Sequence, residues 1–289
     1  MDLRTLRYFV AVAEELHFGR AAARLRMTQP PLSRAVKQLE SDLGAVLLRR
    51  SATGVALTPA GTALYEEARA LLEQAERARQ RVAAAAGEAT LTLGILADSA
   101  EQAGARLAAA YRRRHHGVRV VVREADFADP TTGLRAGLVD VALTRTPFDE
   151  TGLTTRVLRT DPVGVVLRAD DPLVRHGALP LDALAGRTWF RLPEGTDPVW
   201  SAYWCGGTDG TGGSAGAGDG PVVRTVHECL QAVLWSGTVG IAPLTHALPD
   251  GLTVVPLLDM EPSSLVVAWN SADARPLVHS FVRLAGAAH

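Results

Sequence analysis

Residues 17–44 read HFGRAAARLRMTQPPLSRAVKQLESDLG, and this stretch decides the N-terminal fold. It predicts two short helices joined by a tight turn, the second opening on Thr28-Gln29-Pro30-Pro31. In that second helix Leu32, Val36, Leu39 and Leu43 recur at steps of four, three and four, which makes one apolar stripe. Ser33, Arg34, Lys37 and Gln38 occupy the other face. Thr28 is a favourable N-cap, and prolines are tolerated in a first turn whose N–H groups lack intrahelical partners. A helix that presents Gln, Ser, Arg and Lys from its N-terminal end suits the DNA major groove. The plainer reading is a solvated helix face.

Upstream, Leu3, Leu6, Phe9, Val10, Ala13 and Leu16 line one helical face, and Phe18, Ala22 and Leu25 extend the same core into a three-helix head. The run Ala21-Ala22-Ala23 allows close helix approach. Downstream, Val46-Leu47-Leu48 and Val55-Ala56-Leu57 flank a polar segment ending in Thr53-Gly54, which predicts a small hairpin, or wing. Arg49 and Arg50 stand at its base, within reach of phosphates. Thr58 then caps a new helix with Pro59 at its first position. Leu64, Ala68, Leu71, Ala75, Ala78 and Val82 follow in a heptad seam flanked by Glu66, Glu67, Arg69, Glu73, Arg77, Arg79 and Arg81. A seam that narrow, edged with charge, favours dimerisation over packing within one domain. A dimer would give the head two half-sites to read.

The pattern stops at Ala83–Gly87, and strands then alternate with helices. Strands are expected at 91–96, 118–124 and 139–143, with helices at 99–114 and around 131–136. A second unit begins near Pro162, with strands at 163–167, 188–190, 222–226 and 239–242 and helices at 181–185, 197–204 and 227–236. Strands at 252–257 and 263–269 and a helix over 276–287 close the chain. Such alternation predicts mostly parallel sheets covered by helices. Residues 205–220, CGGTDGTGGSAGAGDG, have little to bury and read as a mobile loop. They lack the GKS/T ending and the strand-to-helix placement of a phosphate-cradling loop.

A chain of 289 residues accommodates about two domains. Residues 1–62 hold nine cations and five acids, a surplus of four. With the whole chain at −1, the remainder carries −5. That asymmetry points to a nucleic-acid-binding head on an acidic body. Cys205 and Cys229 are too few for a disulfide framework and lack metal-ligand spacing, which suits a reducing compartment. The N-terminus has no signal-peptide pattern and no stretch approaches the about 18 apolar residues of a membrane span, so a cytoplasmic protein without membrane contact is expected.

Residues Leu6 to Gly61 taken as a block resemble the winged helix-turn-helix of the LysR-type transcriptional regulators of bacteria. The likeness extends by layout to LVDVAL, ADDPL and VGIAP in the C-terminal part. One departure is Leu47-Leu48, where the family usually has Leu-Phe before its basic pair. The resemblance implies an N-terminal winged helix-turn-helix over 1–58, a long linker and dimerisation helix over 59–87, and a two-lobed α/β effector-binding domain over 88–289, similar to periplasmic binding proteins. Lobe 1 would take about 88–160 and 266–289, and lobe 2 about 161–265. It also implies a dimer through the linker helix, assembly into a tetramer, double-stranded DNA as partner with RNA polymerase beside it, and a small-molecule effector between the lobes in place of any cofactor. By position the effector contacts would be Ser99, Thr144 and Arg145 from one lobe and Pro193, Glu194 and Thr196 from the other. An arginine beside a helix N-terminus suits a carboxylate-bearing effector. For DNA, Gln29, Ser33 and Arg34 would meet base edges and Lys37 and Arg50 phosphates, with Thr28, Pro30, Pro31 and Arg49 nearby.

Two other functions compete. An α/β enzyme would need a catalytic pattern, and GxSxG, HExxH and Walker sequences are all missing. A redox-sensing regulator would join Cys205, at the edge of the glycine stretch, to Cys229, although nothing in the sequence marks either thiol as acidic.

Overall fold

In the computed structural model the chain divides into two units, Met1–Ala86 and Gly87–His289. The structure describes residues 1–51, 54–85, 87, 89–96, 101–206 and 220–287.

The first unit opens with α1 (Leu3–Glu15), whose N-cap Asp2 accepts the Thr5 N–H at 2.8 Å. α2 (Phe18–Arg24) is capped by an imidazole: Nδ1 of His17 accepts from the N–H groups of Gly19 and Arg20. α3 (Gln29–Leu43) ends at Gly44, whose φ of 64° suits a residue without a Cβ. Leu32, Val36 and Leu39 are buried against Phe9, Val12, Phe18 and Ala22. Leu43 departs from the expected stripe and is 41% exposed, because it lies in the last turn where the chain reverses through Gly44.

The wing pairs β1 (Leu48–Ser51) with β2 (Gly54–Leu57) antiparallel, with Leu48 opposite Leu57. The Glu40 carboxylate, on α3, accepts the N–H groups of Leu47 at 2.8 Å and Leu48 at 3.1 Å, so the wing's entry is fastened to the helix before it. α4 (Pro59–Ala85) starts as the capping pattern requires: Thr58 Oγ1 accepts the Gly61 N–H at 3.0 Å and donates to the Val46 carbonyl at 2.7 Å. Gly61 permits this junction, since a Cβ there would lie 2.1 Å from the Leu47 carbonyl oxygen.

The second unit holds two sheets. The first has strand order β4-β3-β5-β10-β6, from β3 (Thr90–Leu96), β4 (Arg119–Ala125), β5 (Val141–Arg145), β6 (Leu153–Asp161) and β10 (Ser263–Asn270). β3 runs parallel to β4 and β5, whereas β10 is antiparallel to β5 and β6. α5 (Glu101–Arg114) and α8 (Pro276–Ala287) pack on it through Leu107, Tyr111, Val278 and Phe281. The second sheet has order β8-β7-β9, from β7 (Val163–Arg168), β8 (Gly240–Pro243) and β9 (Leu252–Pro256), all antiparallel. α6 (Pro198–Trp204) and α7 (Val226–Ser236) belong to this part.

Several local expectations are corrected. Pairing is not mostly parallel, because β10 returns antiparallel between β5 and β6, and among the described residues of the second part parallel pairing is confined to bridges such as Trp189–Val239 and Arg191–Val222. The strands expected at 188–190 and 222–226 reduce to those bridges. The helix expected around 131–136 is a series of turns: Thr132 and Gly133 adopt φ of 56° and 90°, which no α-helix accommodates, and Asp129 ties the turns by accepting the N–H groups of Thr131 and Gly133. Leu181–Leu184 is one 3-10 turn. β6 was not anticipated, since Leu153, Val157 and Leu158 are its only apolar residues and do not alternate.

Candidate DNA-binding helix and ligand cavity

The buried side of α3 anchors it and leaves the other side to solvent. Gln29, Pro30, Arg34 and Lys37 are exposed, and Pro31 and Ser33 are half-buried. The cations of α2 are already engaged: Arg24 pairs with Glu14 at 2.6 Å and Arg20 with Glu15 at 3.4 Å. Among the described residues Arg34 and Lys37 form no ion pair, so their charge remains available to an incoming polyanion. Thr28 does adopt extended N-cap geometry, yet its side chain makes no cap bond. The reason is chemical: an N-cap oxygen accepts from the second or third helical N–H, and here those positions are Pro30 and Pro31, which have none. Arg49 is exposed on β1 and Arg50 stands opposite Val55 in the wing ladder.

In the second unit a cavity of about 460 Å³ opens between the two sheets' layers. Leu96, Phe127, Arg145 and Arg159 line it from the first, and Phe190, Leu192, Trp200, Trp204 and Cys229 from the second. Arg145 is 4% exposed and its guanidinium donates to Asp161 at 2.7 Å, while Arg159 meets the same carboxylate at 2.9 Å. Burial draws Arg145 below its ordinary pKa against the support of Asp161. Burial works to raise the Asp161 pKa as well, but the hydrogen bonds from Arg145 and Arg159 prevail and hold it below the usual carboxylate value. Two arginines sharing one carboxylate leave one positive charge over. Arg106 and His246 also line the cavity, and no Asp or Glu does so among the described residues.

The walls are held by bonds between the two parts. The Phe127 N–H donates to the Arg224 carbonyl at 2.8 Å, and Arg224 pairs with Asp126 at 3.0 Å. Asp197 serves both sides: Oδ1 caps α6 at the Trp200 N–H, 3.1 Å, and Oδ2 accepts the Asp149 N–H at 2.8 Å. The indole Nε1 atoms of Trp189, Trp200 and Trp204 are buried without hydrogen-bond partners. An unmade buried bond of this kind costs on the order of 1–3 kcal/mol.

Of the expected effector contacts among the described residues, only Arg145 lines this cavity. Thr144 is wholly buried in β5, opposite Val266. Pro193 and Thr196 close a turn in which the Thr196 hydroxyl donates to the Pro193 carbonyl at 2.7 Å, with Glu194 exposed beside it. Ser99 lies outside the described residues. Sequence reasoning missed Phe127, Trp200, Trp204 and Asp161. The pattern Asp197-Pro198, an N-cap followed by a first-turn proline, was the available signal for the aromatic helix.

The LysR-family bacterial regulatory helix-turn-helix model matches residues 3–62, and the LysR substrate binding domain model matches residues 84–289. The chain belongs to the LysR family of transcriptional regulators. The HTH-type transcriptional regulator AlsR of Bacillus subtilis is 34% identical over 186 residues, 64% of this chain and 62% of AlsR, so the match spans less than two thirds of that relative. ShiR of Corynebacterium glutamicum is 33% identical over 254 residues, 85% of this chain and 83% of ShiR. Full-length BenM superposes with a TM-score of 0.55 at 27% identity, covering 99% of this chain and 95% of that one.

Within this LysR-family chain the thiols fit poorly with redox sensing. Burial pushes the Cys205 pKa up to about 11 and that of Cys229 well above its ordinary value, so both rest as thiols. On α4, Leu64 packs into the head's own core and Ala68 is wholly buried within the unit. Farther along the seam Leu71 is 40% and Val82 70% exposed, with Ala78 exposed and Ala75 half-buried between them. Among the described residues no helix is long and apolar enough to cross a membrane.

Proposed function

We propose that this protein is a cytoplasmic DNA-binding transcriptional regulator that reads double-stranded DNA in the major groove with α3 and answers to a small-molecule effector. The observation that carries the first half is the solvent face of α3, where Gln29, Arg34 and Lys37 stand exposed on a helix locked by Leu32, Val36 and Leu39. Gln29, Ser33 and Arg34 take base edges. Lys37, Arg49, Arg50 and the uncapped Thr28 hydroxyl take phosphates, with Pro30 and Pro31 shaping the entry. Two copies pair through the outer part of the α4 seam, from Leu71 to Val82, and two dimers form a tetramer. The DNA-bound assembly acts on transcription through RNA polymerase.

The effector occupies the cavity beside Arg145. The surplus arginine charge and the lack of a lining carboxylate favour an anionic, carboxylate-bearing molecule. Ser99, Pro193, Glu194 and Thr196 remain proposed contacts by their place in the chain alone, whereas Thr144, wholly buried in β5, supports the strand rather than the effector. For the effector to switch DNA binding it must bind two arrangements of the protein with different affinity. DNase footprinting upstream of the protein's own gene, with candidate acids added, tests the reading. Protection of paired half-sites whose extent changes with one acid is expected, and absence of protection on any specific site would overturn it.

A further inference from the structure

We infer that Arg26, in the turn between α2 and α3, holds a DNA backbone phosphate, and that the turn keeps a strained residue there in order to present it. This rests on the reading of α3 as the DNA-binding helix and adds a contact to those already proposed. The turn closes α2 as a Schellman motif: the Met27 N–H donates to the Ala22 carbonyl at 2.9 Å and the Arg26 N–H to that of Ala23 at 3.0 Å. The left-handed position of the motif falls on Arg26, with φ of 53°. That conformation suits glycine or asparagine and crowds the Cβ of other residues. The chain places glycine at the matching point after α3 and α7, with φ of 64° at Gly44 and 63° at Gly237. Of the other non-glycine residues at positive φ, Leu16 lends its carbonyl to the Val55 N–H of the wing, and Thr132 is 3% exposed. Arg26 is exposed, and among the described residues its guanidinium has no partner. The five acids of residues 1–62 are engaged elsewhere: Asp2 caps α1, Glu14 and Glu15 pair with Arg24 and Arg20, Glu40 holds the wing and Asp42 accepts from Gln38. A cation at a helix C-terminus also favours the helix dipole, but Arg24 already occupies the last turn of α2. Backbone strain persists where function retains it. α3 starts three residues on, at Gln29. A helix that sets its first turn against base edges brings the preceding turn to the rim of the groove, where the phosphates lie.

Titrations of full-length wild type, Arg26→Asn and Arg26→Lys test this on two duplexes, one from the region upstream of the gene and one scrambled, between about 0.05 and 0.2 M salt. Asparagine accepts the left-handed position, so Arg26→Asn should melt no lower than wild type. It should nevertheless bind both duplexes about three- to tenfold more weakly for each half-site at 0.1 M salt, and lower the slope of log affinity against log salt by about 0.9. Arg26→Lys keeps the charge and should bind like wild type. Unchanged affinity and slope in Arg26→Asn overturn the inference. A lower melting temperature in that variant also overturns it, because Arg26 would then be supporting α2. A loss in Arg26→Lys confined to the upstream duplex would move Arg26 from a phosphate to a base edge and overturn it as well. Wild-type protein that binds the two duplexes equally would end the functional reading, whereas a smaller salt slope for Arg26→Asn on scrambled DNA would keep the phosphate contact.

Discussion

Arg34 and Lys37 sit three residues apart on one helix face and carry the same charge, yet the tasks proposed for them on DNA differ. A planar guanidinium can bond two acceptors of one guanine edge, whereas an ammonium serves a phosphate as a point charge. Arg34→Ala should therefore cost about 1–3 kcal/mol at one base pair per half-site and little on random DNA. Lys37→Ala should weaken both equally and reduce the salt slope of binding by about one. Binding isotherms at several salt concentrations, on operator and on scrambled duplex, separate the two; equal losses for Arg34→Ala would reassign it to a phosphate. At Asp161 the same scale concerns stability. Its carboxylate is 3% exposed and neutralises the buried Arg145, so Asp161→Ala should destabilise the second unit by about 3–5 kcal/mol, read as a lower urea midpoint. Because the folded Asp161 pKa is depressed, its contribution is complete above the ordinary value of about 3.9 and is lost as pH falls through the folded value. Wild-type stability should fall over that acidic range more steeply than that of the variant. In the sequence Arg145 reads equally as a ligand contact or as a surface ion pair; what is hidden there is the burial and the partner, which lies 16 residues away on β6, the strand whose pattern gives no signal.

At the level of elements, α3, the wing and α4 form one connected device. Glu40 holds the wing's entry, and Thr58 closes the wing onto the start of α4. Gly61→Ala would push a Cβ into the Leu47 carbonyl, so that junction must open. A lower melting temperature and weaker DNA affinity are expected, with a cost of about 1–3 kcal/mol, and an unchanged melt would show that the wing yields freely. The seam on α4 divides by use. Leu64 and Ala68 serve the monomer's core, so the proposed dimer is left with Leu71 to Val82. Leu71→Asp combined with Val82→Asp should shift sedimentation from dimer to monomer at micromolar concentration without melting the head, and an intact dimer would place the interface elsewhere. Helices with 3.6-residue periodicity and capped ends were legible because cap, stripe and turn residues agreed. The antiparallel return of β10 was not, since strand direction depends on where β6 and β5 leave an edge, and the turns at Thr132 and Gly133 depend on backbone angles that a polar, helix-like run conceals.

For the whole molecule, two features decide what kind of switch is built. Thiols held protonated by burial make a poor peroxide sensor. Iodoacetamide should label folded protein slowly at neutral pH, and micromolar peroxide should leave operator binding unchanged. A peroxide-dependent footprint abolished by Cys205→Ser would reverse that conclusion. Ligand linkage remains, and it carries a quantitative demand. If an acid in the Arg145 cavity changes operator affinity by some factor, operator DNA must change the affinity for that acid by the same factor. Two bonds join the parts across the cavity, Asp197 to Asp149 at the start of α6 and Arg224 to Asp126 just before α7, and a change of arrangement would have to alter them. Asp197→Ala removes both the α6 cap and its tie to Asp149, so it should lower the coupling factor toward one while a DNA duplex still binds. Two titrations measure it: acid into free protein and acid into protein saturated with operator. Equal acid affinities in the variant, against unequal ones in the wild type, are the expected outcome, and a coupling factor untouched by Asp197→Ala would exclude this tie from the path between cavity and DNA.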